Sequence, residues 1–247
     1  MPAIHLLGTG SAVADAHRTT TMLALESDAG LLAIDCGGDL YQRLLLAGLD
    51  ALELDGLILT HEHPDHVGGF PLLMERLWLD GRTRGLPVYG IRQALDQAER
   101  LLGTYDTSNW SLPEIRWRPV DLQPGATVLS SGDWRITASP GVHGVPVTGL
   151  RCTHVPTGFA MGYSADTEPC DDILELVRGC DLLVHEATGA VRGHTSIQQA
   201  VGIAAEAGCP QLVLVHLTRG AHPDDLRPYA DSGVEVILGE ELDRFEF

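Results

Sequence analysis

The stretch Thr60-His61-Glu62-His63-Pro64-Asp65-His66 constrains this chain most, because it sets three imidazoles and two carboxylates within a few residues of one another. It follows Leu57-Ile58-Leu59, a short apolar run bounded by loop signals that reads as a buried strand. Side chains two apart in an extended segment point the same way, so His61 and His63 can grip one cation together. Pro64 keeps His63 extended. The chain then turns through Asp65 and His66, which face elsewhere and could hold a second ion. Gly68 and Gly69 allow a tight turn before a helix from Phe70 to Leu79, with Pro71 tolerated in its first turn. Imidazoles beside a carboxylate suit zinc, manganese or iron better than thiolate-seeking metals.

A fold built to hold such a motif needs a rigid frame, and the chain has the material for one. Its 247 residues are 44% hydrophobic, enough for a large core and a single domain spanning 1–247. The formal charge is −18, and all sixteen basic residues are arginine. A chain that tracks a polyanion needs clustered positive charge, so nucleic acid is not the expected partner and a small-molecule substrate is. The five cysteines are scattered, odd in number and never paired as Cys-x-x-Cys, which indicates neither a disulfide framework nor a cysteine metal site. The N-terminus runs straight into a strand, and no apolar stretch is long enough to cross a bilayer, so a cytoplasmic protein without a membrane partner is expected. A homodimer is left open.

Strands and helices alternate along the chain. Residues 3–7, 21–26 and 31–35 read as strands, the last two joined by the hairpin signal Asp28-Ala29-Gly30. Gly8-x-Gly10 lacks a third glycine and a following helix pattern, so it reads as a turn and not a phosphate loop. A helix over 40–49 precedes the central motif; a strand over 87–89 and a helix over 91–102 follow it. The stretch from Gly103 to Pro113 has no period; it holds Tyr105 and Trp110 and is read as a surface-packed loop, with a pocket lid as the functional option. Residues 117–121, 127–129 and 134–138 read as strands of a second sheet. Further strands are expected around Arg151 and over 159–163. A helix over 171–177, a strand over 182–184, a helix over 197–207 capped by Thr195 or Ser196, and a last core strand over 212–215 complete the order. Two runs of strands, each succeeded by helices, fit two central sheets between outer helices.

His61, His63, Asp65, His66, His143, Asp166 and His216 all fall at the ends of these strands or in the loops just after them. Functional groups collect where a rigid scaffold feeds loops. Seven such groups can form two three-residue sites sharing one carboxylate, with water or hydroxide between ions about 3.5–4 Å apart.

The motif Thr60 to His66 is similar to the signature of the metallo-β-lactamase superfamily. His143, Ser164-Ala165-Asp166-Thr167, His185-Glu186-Ala187-Thr188, Gly193-His194-Thr195-Ser196 and Leu214-Val215-His216 resemble its ribonuclease Z and phosphodiesterase branch in order and context. The resemblance implies an αββα four-layer sandwich with two divalent metal ions, usually zinc, with manganese or iron as alternatives. It implies that His61, His63 and His143 hold the first ion, that Asp65, His66 and His216 hold the second, and that Asp166 bridges them. It places His194 on the leaving-group side, oriented by Glu186, and Asp65 joins these two among the catalytic groups. His185 is read as structural. The arm with which tRNA-processing members grip tRNA, between the third histidine motif and the bridging aspartate, is missing here, since only residues 144–165 intervene.

The expected function is hydrolysis of small phosphodiesters by a metal-bridging hydroxide, with Arg18 and Arg151 as candidates for binding phosphate. The alternatives are a carbonyl ester, lactone or thioester hydrolase on the same scaffold, then a tRNA 3′-processing endonuclease, an iron-dependent oxidoreductase or a non-catalytic metal-dependent binding protein.

Overall fold

A computed structural model describes residues 1–247. The first sheet takes β1 (Ala3–Gly8), β2 (Met22–Ser27), β3 (Gly30–Ile34), β4 (Leu54–Leu59), β5 (Leu86–Gly90) and β6 (Ile115–Pro119). The second takes β7 (Ala126–Ser131), β8 (Trp134–Pro140), β9 (Thr148–His154), β10 (Ala160–Tyr163), β11 (Leu182–Glu186), β12 (Gln211–Val215) and β13 (Glu235–Leu238). A final strand, β14 (Arg244–Glu246), crosses back to pair with β1, so the sheet orders are β14-β1-β2-β3-β4-β5-β6 and β13-β12-β11-β10-β9-β8-β7. Each sheet changes from antiparallel to parallel pairing partway across, at β3–β4 in one and at β10–β11 in the other.

Period-two alternation explains the layers. In β4, Leu57 and Leu59 join a core packed under helices, whereas Ile58 between them faces the other sheet. In β1, Leu7 goes one way while Ile4 and Leu6 go the other. Strands buried on both faces carry continuous apolar runs, which is why these read so clearly. The outer face of the first sheet is covered by α1 (Leu40–Leu46), α3 (Phe70–Leu79) and α4 (Arg92–Leu102), and a one-turn α2 (Pro64–Val67) lies between α1 and α3 in the chain. The outer face of the second sheet is covered by α5 (Asp171–Val177) and α6 (Ile197–Ala207). Three apolar cores, one between the sheets and one under each helix layer, make the four-layer αββα sandwich. No helix is long and apolar enough to cross a membrane.

Three sequence expectations change, while the Gly103–Pro113 loop is surface-packed as read. The strand near Trp117 pairs with β5 in the first sheet and not in the second, with Val88 opposite Trp117. Residues 212–215 are not the last strand, since β13 extends the second sheet and β14 the first. The first helix stops at Leu46, three residues early, and Gly48 then turns with φ 76°. The Gly103–Pro113 loop packs on the helix layer, where Trp110 stacks on Trp78 of α3 at 5.1 Å. Between His143 and Asp166 the chain is spent on β9, a tight turn and β10, so no protruding arm interrupts it.

Candidate metal centre

All seven candidate ligands converge at one end of the sandwich. His61 and His63 follow β4; His63, with φ −64° and ψ 148°, is extended ahead of Pro64 as expected, and it caps the one-turn α2 that Pro64 opens. Asp65 and His66 then lie within that turn of helix, which aims them at a different point from His61 and His63. His143 follows β8, Asp166 follows β10 and His216 follows β12. The donor atoms fall into two groups, His61, His63, His143 and Asp166, and Asp65, His66, Asp166 and His216. Asp166 belongs to both. Its Oδ2 lies 3.8 Å from His61 Nε2, 3.8 Å from His143 Nε2 and 3.3 Å from His216 Nε2, while its Oδ1 lies 3.4 Å from His66 Nε2.

These residues fit a pair of cations. Donors around a tetrahedral ion with metal–nitrogen bonds of about 2.0–2.1 Å stand roughly 3.3 Å apart, and the spacings here bracket that value. Buried polar atoms are almost always hydrogen-bonded, yet His61 Nε2, His66 Nε2 and Asp166 Oδ1 are buried without a partner. His63 Nδ1 and His143 Nε2 also face each other at 3.0 Å.

The far nitrogen of each remaining ring is held. His66 Nδ1 donates to Asp35 at 2.8 Å, and His143 Nδ1 donates to the Gly193 carbonyl at 2.7 Å. The Thr60 hydroxyl donates to Asp35 at 2.9 Å and accepts from His61 Nδ1 at 3.1 Å. The Thr188 hydroxyl donates to the His216 carbonyl and accepts from His216 Nδ1 at 2.6 Å. Each contact holds a proton on Nδ1 and turns the Nε2 lone pair inward, the arrangement of metal-binding histidines.

Electrostatics point the same way. Burial pushes His61 well below the ordinary histidine range, and the neighbouring His66 adds to this. Burial also works against charge on His66, but Asp166 and Asp35 outweigh it and hold that ring well above the ordinary range. Burial would raise Asp166; His216 and His66 overcome it and keep the carboxylate ionised well below the usual range. Positive charge is therefore favoured between Asp166, Asp65 and Asp35.

Three of the four non-glycine residues with positive φ sit here, Asp35 at 62°, Ala165 at 50° and His216 at 52°. Such conformations cost about 1–3 kcal/mol each and persist where the surroundings dictate them. Gly37 shows how tightly the parts meet, since a Cβ there would lie 1.6 Å from the Asp65 carbonyl oxygen.

Beside the two groups stands a third constellation, Glu186, His194 and His216. The fully buried Glu186 accepts from the Thr167 and Thr188 amides and from His194 Nδ1, at 2.8, 3.2 and 2.9 Å. That hydrogen bond raises His194 above the ordinary histidine range, against the effect of burial. The His194 ring stacks on His216 at 5.5 Å and meets His143 edge-on at 4.9 Å. It is half-buried, with Nε2 left over from the Glu186 contact.

Asp35, Thr60 and Thr188 went unassigned in the sequence. For Asp35 a signal existed, a lone carboxylate ending the apolar strand Leu31 to Ile34. His185 lies outside all three groups, fully buried with Nδ1 donating to the Glu186 carbonyl at 2.8 Å. Arg18 and Arg151 do not serve the cleft as free cations. Arg18 spends its guanidinium on Thr9 Oγ1, the Gly239 carbonyl and Glu240, and Arg151 on the carbonyls of Leu176 and Arg178.

A two-sheet sandwich with paired His/Asp clusters at the ends of its strands defines a class of metal-dependent hydrolase, and the chain belongs to the metallo-β-lactamase superfamily. The family model described as a β-lactamase superfamily domain matches residues 32–217. Among curated relatives, the chain is 26% identical to the ribonuclease Z of Methanothermobacter thermautotrophicus, covering 88% of this chain and 87% of that one. It is 28% identical to the ribonuclease BN of Escherichia coli, covering 95% and 92%. The metallo-β-lactamase fold protein YhfI of Bacillus subtilis superposes with a TM-score of 0.83 at 26% identity over 99% of each chain.

Proposed function

We propose that this hydrolase cleaves small phosphodiesters, with residues 1–247 acting as one domain because both sheets contribute to the cluster. In this reading His61, His63 and His143 hold one divalent ion, Asp65, His66 and His216 hold the other, and Asp166 bridges them. Zinc is the proposed occupant, with manganese or iron as alternatives. Such ions, when bound, supply Lewis acidity toward a phosphoryl oxygen and a water acidified to neutral pH.

The chain's own residues do the rest. Glu186 holds the proton on His194 Nδ1 and stabilises the charged ring, which can then deliver a proton from Nε2 to a departing alkoxide. Asp35 and Thr60 orient one histidine of each group, so a single carboxylate keeps both halves in register. The observation that carries the reading is the Glu186–His194 pair standing against ring faces and edges of both groups. A proton donor there answers the need of a poor alkoxide leaving group.

A second reading, RNA processing, is favoured by the names of the curated relatives. Against it stand the short interval from His143 to Asp166 and a net charge of −18. The test is a panel of diesters, lactones, thioesters and precursor tRNA offered to the metal-loaded protein, with and without a chelator. Chelator-sensitive turnover of the diesters is expected. Turnover confined to lactones or thioesters would replace the phosphodiester reading with a carbonyl one.

A further inference from the structure

Arg118, Arg135 and Arg192 alone among the sixteen arginines have neither an acidic nor a protein carbonyl partner. Arg118 and Arg135 lie within β6 and β8, outside the loops that carry the clustered histidines. Arg192 lies in the loop between β11 and α6, exposed, two residues before His194. That loop is pinned on both sides of the next residue. The Gly193 carbonyl accepts from His143 Nδ1 at 2.7 Å, and the Gly193 amide donates to Glu168 Oε1 at 2.7 Å. Gly193 has φ 83°, and a Cβ there would lie 2.9 Å from His143 Nδ1, so the backbone beside Arg192 has little freedom. Arg219, in the loop after His216, differs in that its guanidinium is spent on the Ala14 carbonyl.

We propose that Arg192 binds an anionic group carried by the substrate's leaving group, so that the protein prefers phosphodiesters whose departing alcohol bears a carboxylate or phosphate. This rests on the phosphodiester reading and on His194 marking the leaving-group side. Guanidinium is the side chain best shaped to grip either anion with two parallel hydrogen bonds. Val191, the residue before it, and Val142, the residue before His143, are 58% and 47% exposed, apolar surface that lowers the local dielectric once a substrate covers it. In a chain of net charge −18, an uncompensated cation beside the site is the element that offsets repulsion of a multiply charged substrate.

The test compares methyl 4-nitrophenyl phosphate with methyl 3-carboxy-4-nitrophenyl phosphate, which differ in one carboxylate on the departing phenol. Wild-type protein should favour the carboxylated ester, and Arg192→Ala should lower the ratio of kcat/KM values by about ten- to a hundredfold, mainly through KM. Arg192→Lys should fall between, and Arg118→Ala should leave the ratio unchanged. An equal effect on both esters, or none, overturns the proposal.

Binding of 3-carboxy-4-nitrophenol to metal-loaded protein gives a readout that does not depend on turnover. If wild-type protein cleaves neither ester, the phosphodiester reading fails. A Kd weakened about tenfold by Arg192→Ala would still support the anion site, and an unchanged Kd would overturn it. Benzoate and phenyl phosphate as competitors identify the anion: the larger loss on Arg192→Ala names it, and loss of neither rejects the site.

Discussion

Asp166 is the residue on which the two groups depend, since its two oxygens face His61, His143 and His216 on one side and His66 on the other. Asp166→Ala should therefore lose at least one of two ions per chain by elemental analysis; retention of both at full occupancy would show the ligand assignment to be wrong. His194 makes a different prediction because its partner is a carboxylate outside both groups. His194→Ala should keep its metal and lose about 10² to 10⁴ in turnover. The loss should be largest for poor leaving groups and shrink for an activated nitrophenolate, whereas a uniform loss would remove the proton-donor role. The sign of the pH dependence follows from the raised pKa of His194. In the proposed proton-donor role its protonated form is active, so kcat should hold on the acid side and fall as pH rises through that raised value. Glu186→Gln removes the cause and should move the basic limb of the kcat profile to lower pH; an unmoved limb would contradict the pairing.

At the scale of elements, what could be read in the sequence is what local chemistry decides. The helix over 197–207 is bounded by a reciprocal Ser196–Gln199 capping box and by Gly208 in the left-handed region, and both signals lie within the segment itself. Ser196→Ala should cost about 1 kcal/mol and lower Tm by roughly 2–4 °C, a shift that thermal unfolding can resolve. The strand ends were legible for a similar reason, since apolar runs stop where His61, Asp166 and His216 begin. Sheet membership was not. A period-two pattern announces a strand without naming its neighbour, so β6 was given to the wrong sheet. β14 has only three residues and exists through pairing with β1 at the other end of the chain, a contact that no local window contains. Arg18 and Arg151 misled for a related reason, because the carbonyls that occupy them belong to distant segments. The role of Asp35 is not legible locally because it depends on His66 and Thr60 arriving from α2 and from just past the end of β4.

At the scale of the whole molecule, two sheets of matching plan meet so that each supplies part of one cation-binding end, and the charge of the entire chain then bears on which substrate can approach. Nucleic-acid affinity is dominated by phosphate contacts and falls steeply with salt. With −18 net charge, sixteen arginines mostly engaged within the chain and no arm between β8 and β10, the proposed reading expects long-range attraction to RNA to be weak. The small diester of the proposed reading would need no such attraction beyond the proposed ions and the groups around them. The most direct measurement is kcat/KM of the metal-loaded protein for bis(4-nitrophenyl) phosphate and for precursor tRNA, side by side at low salt. The account predicts efficient, chelator-sensitive turnover of the small diester with no site-specific cleavage of the tRNA. Site-specific release of the tRNA 3′ trailer with little turnover of the small diester would contradict it.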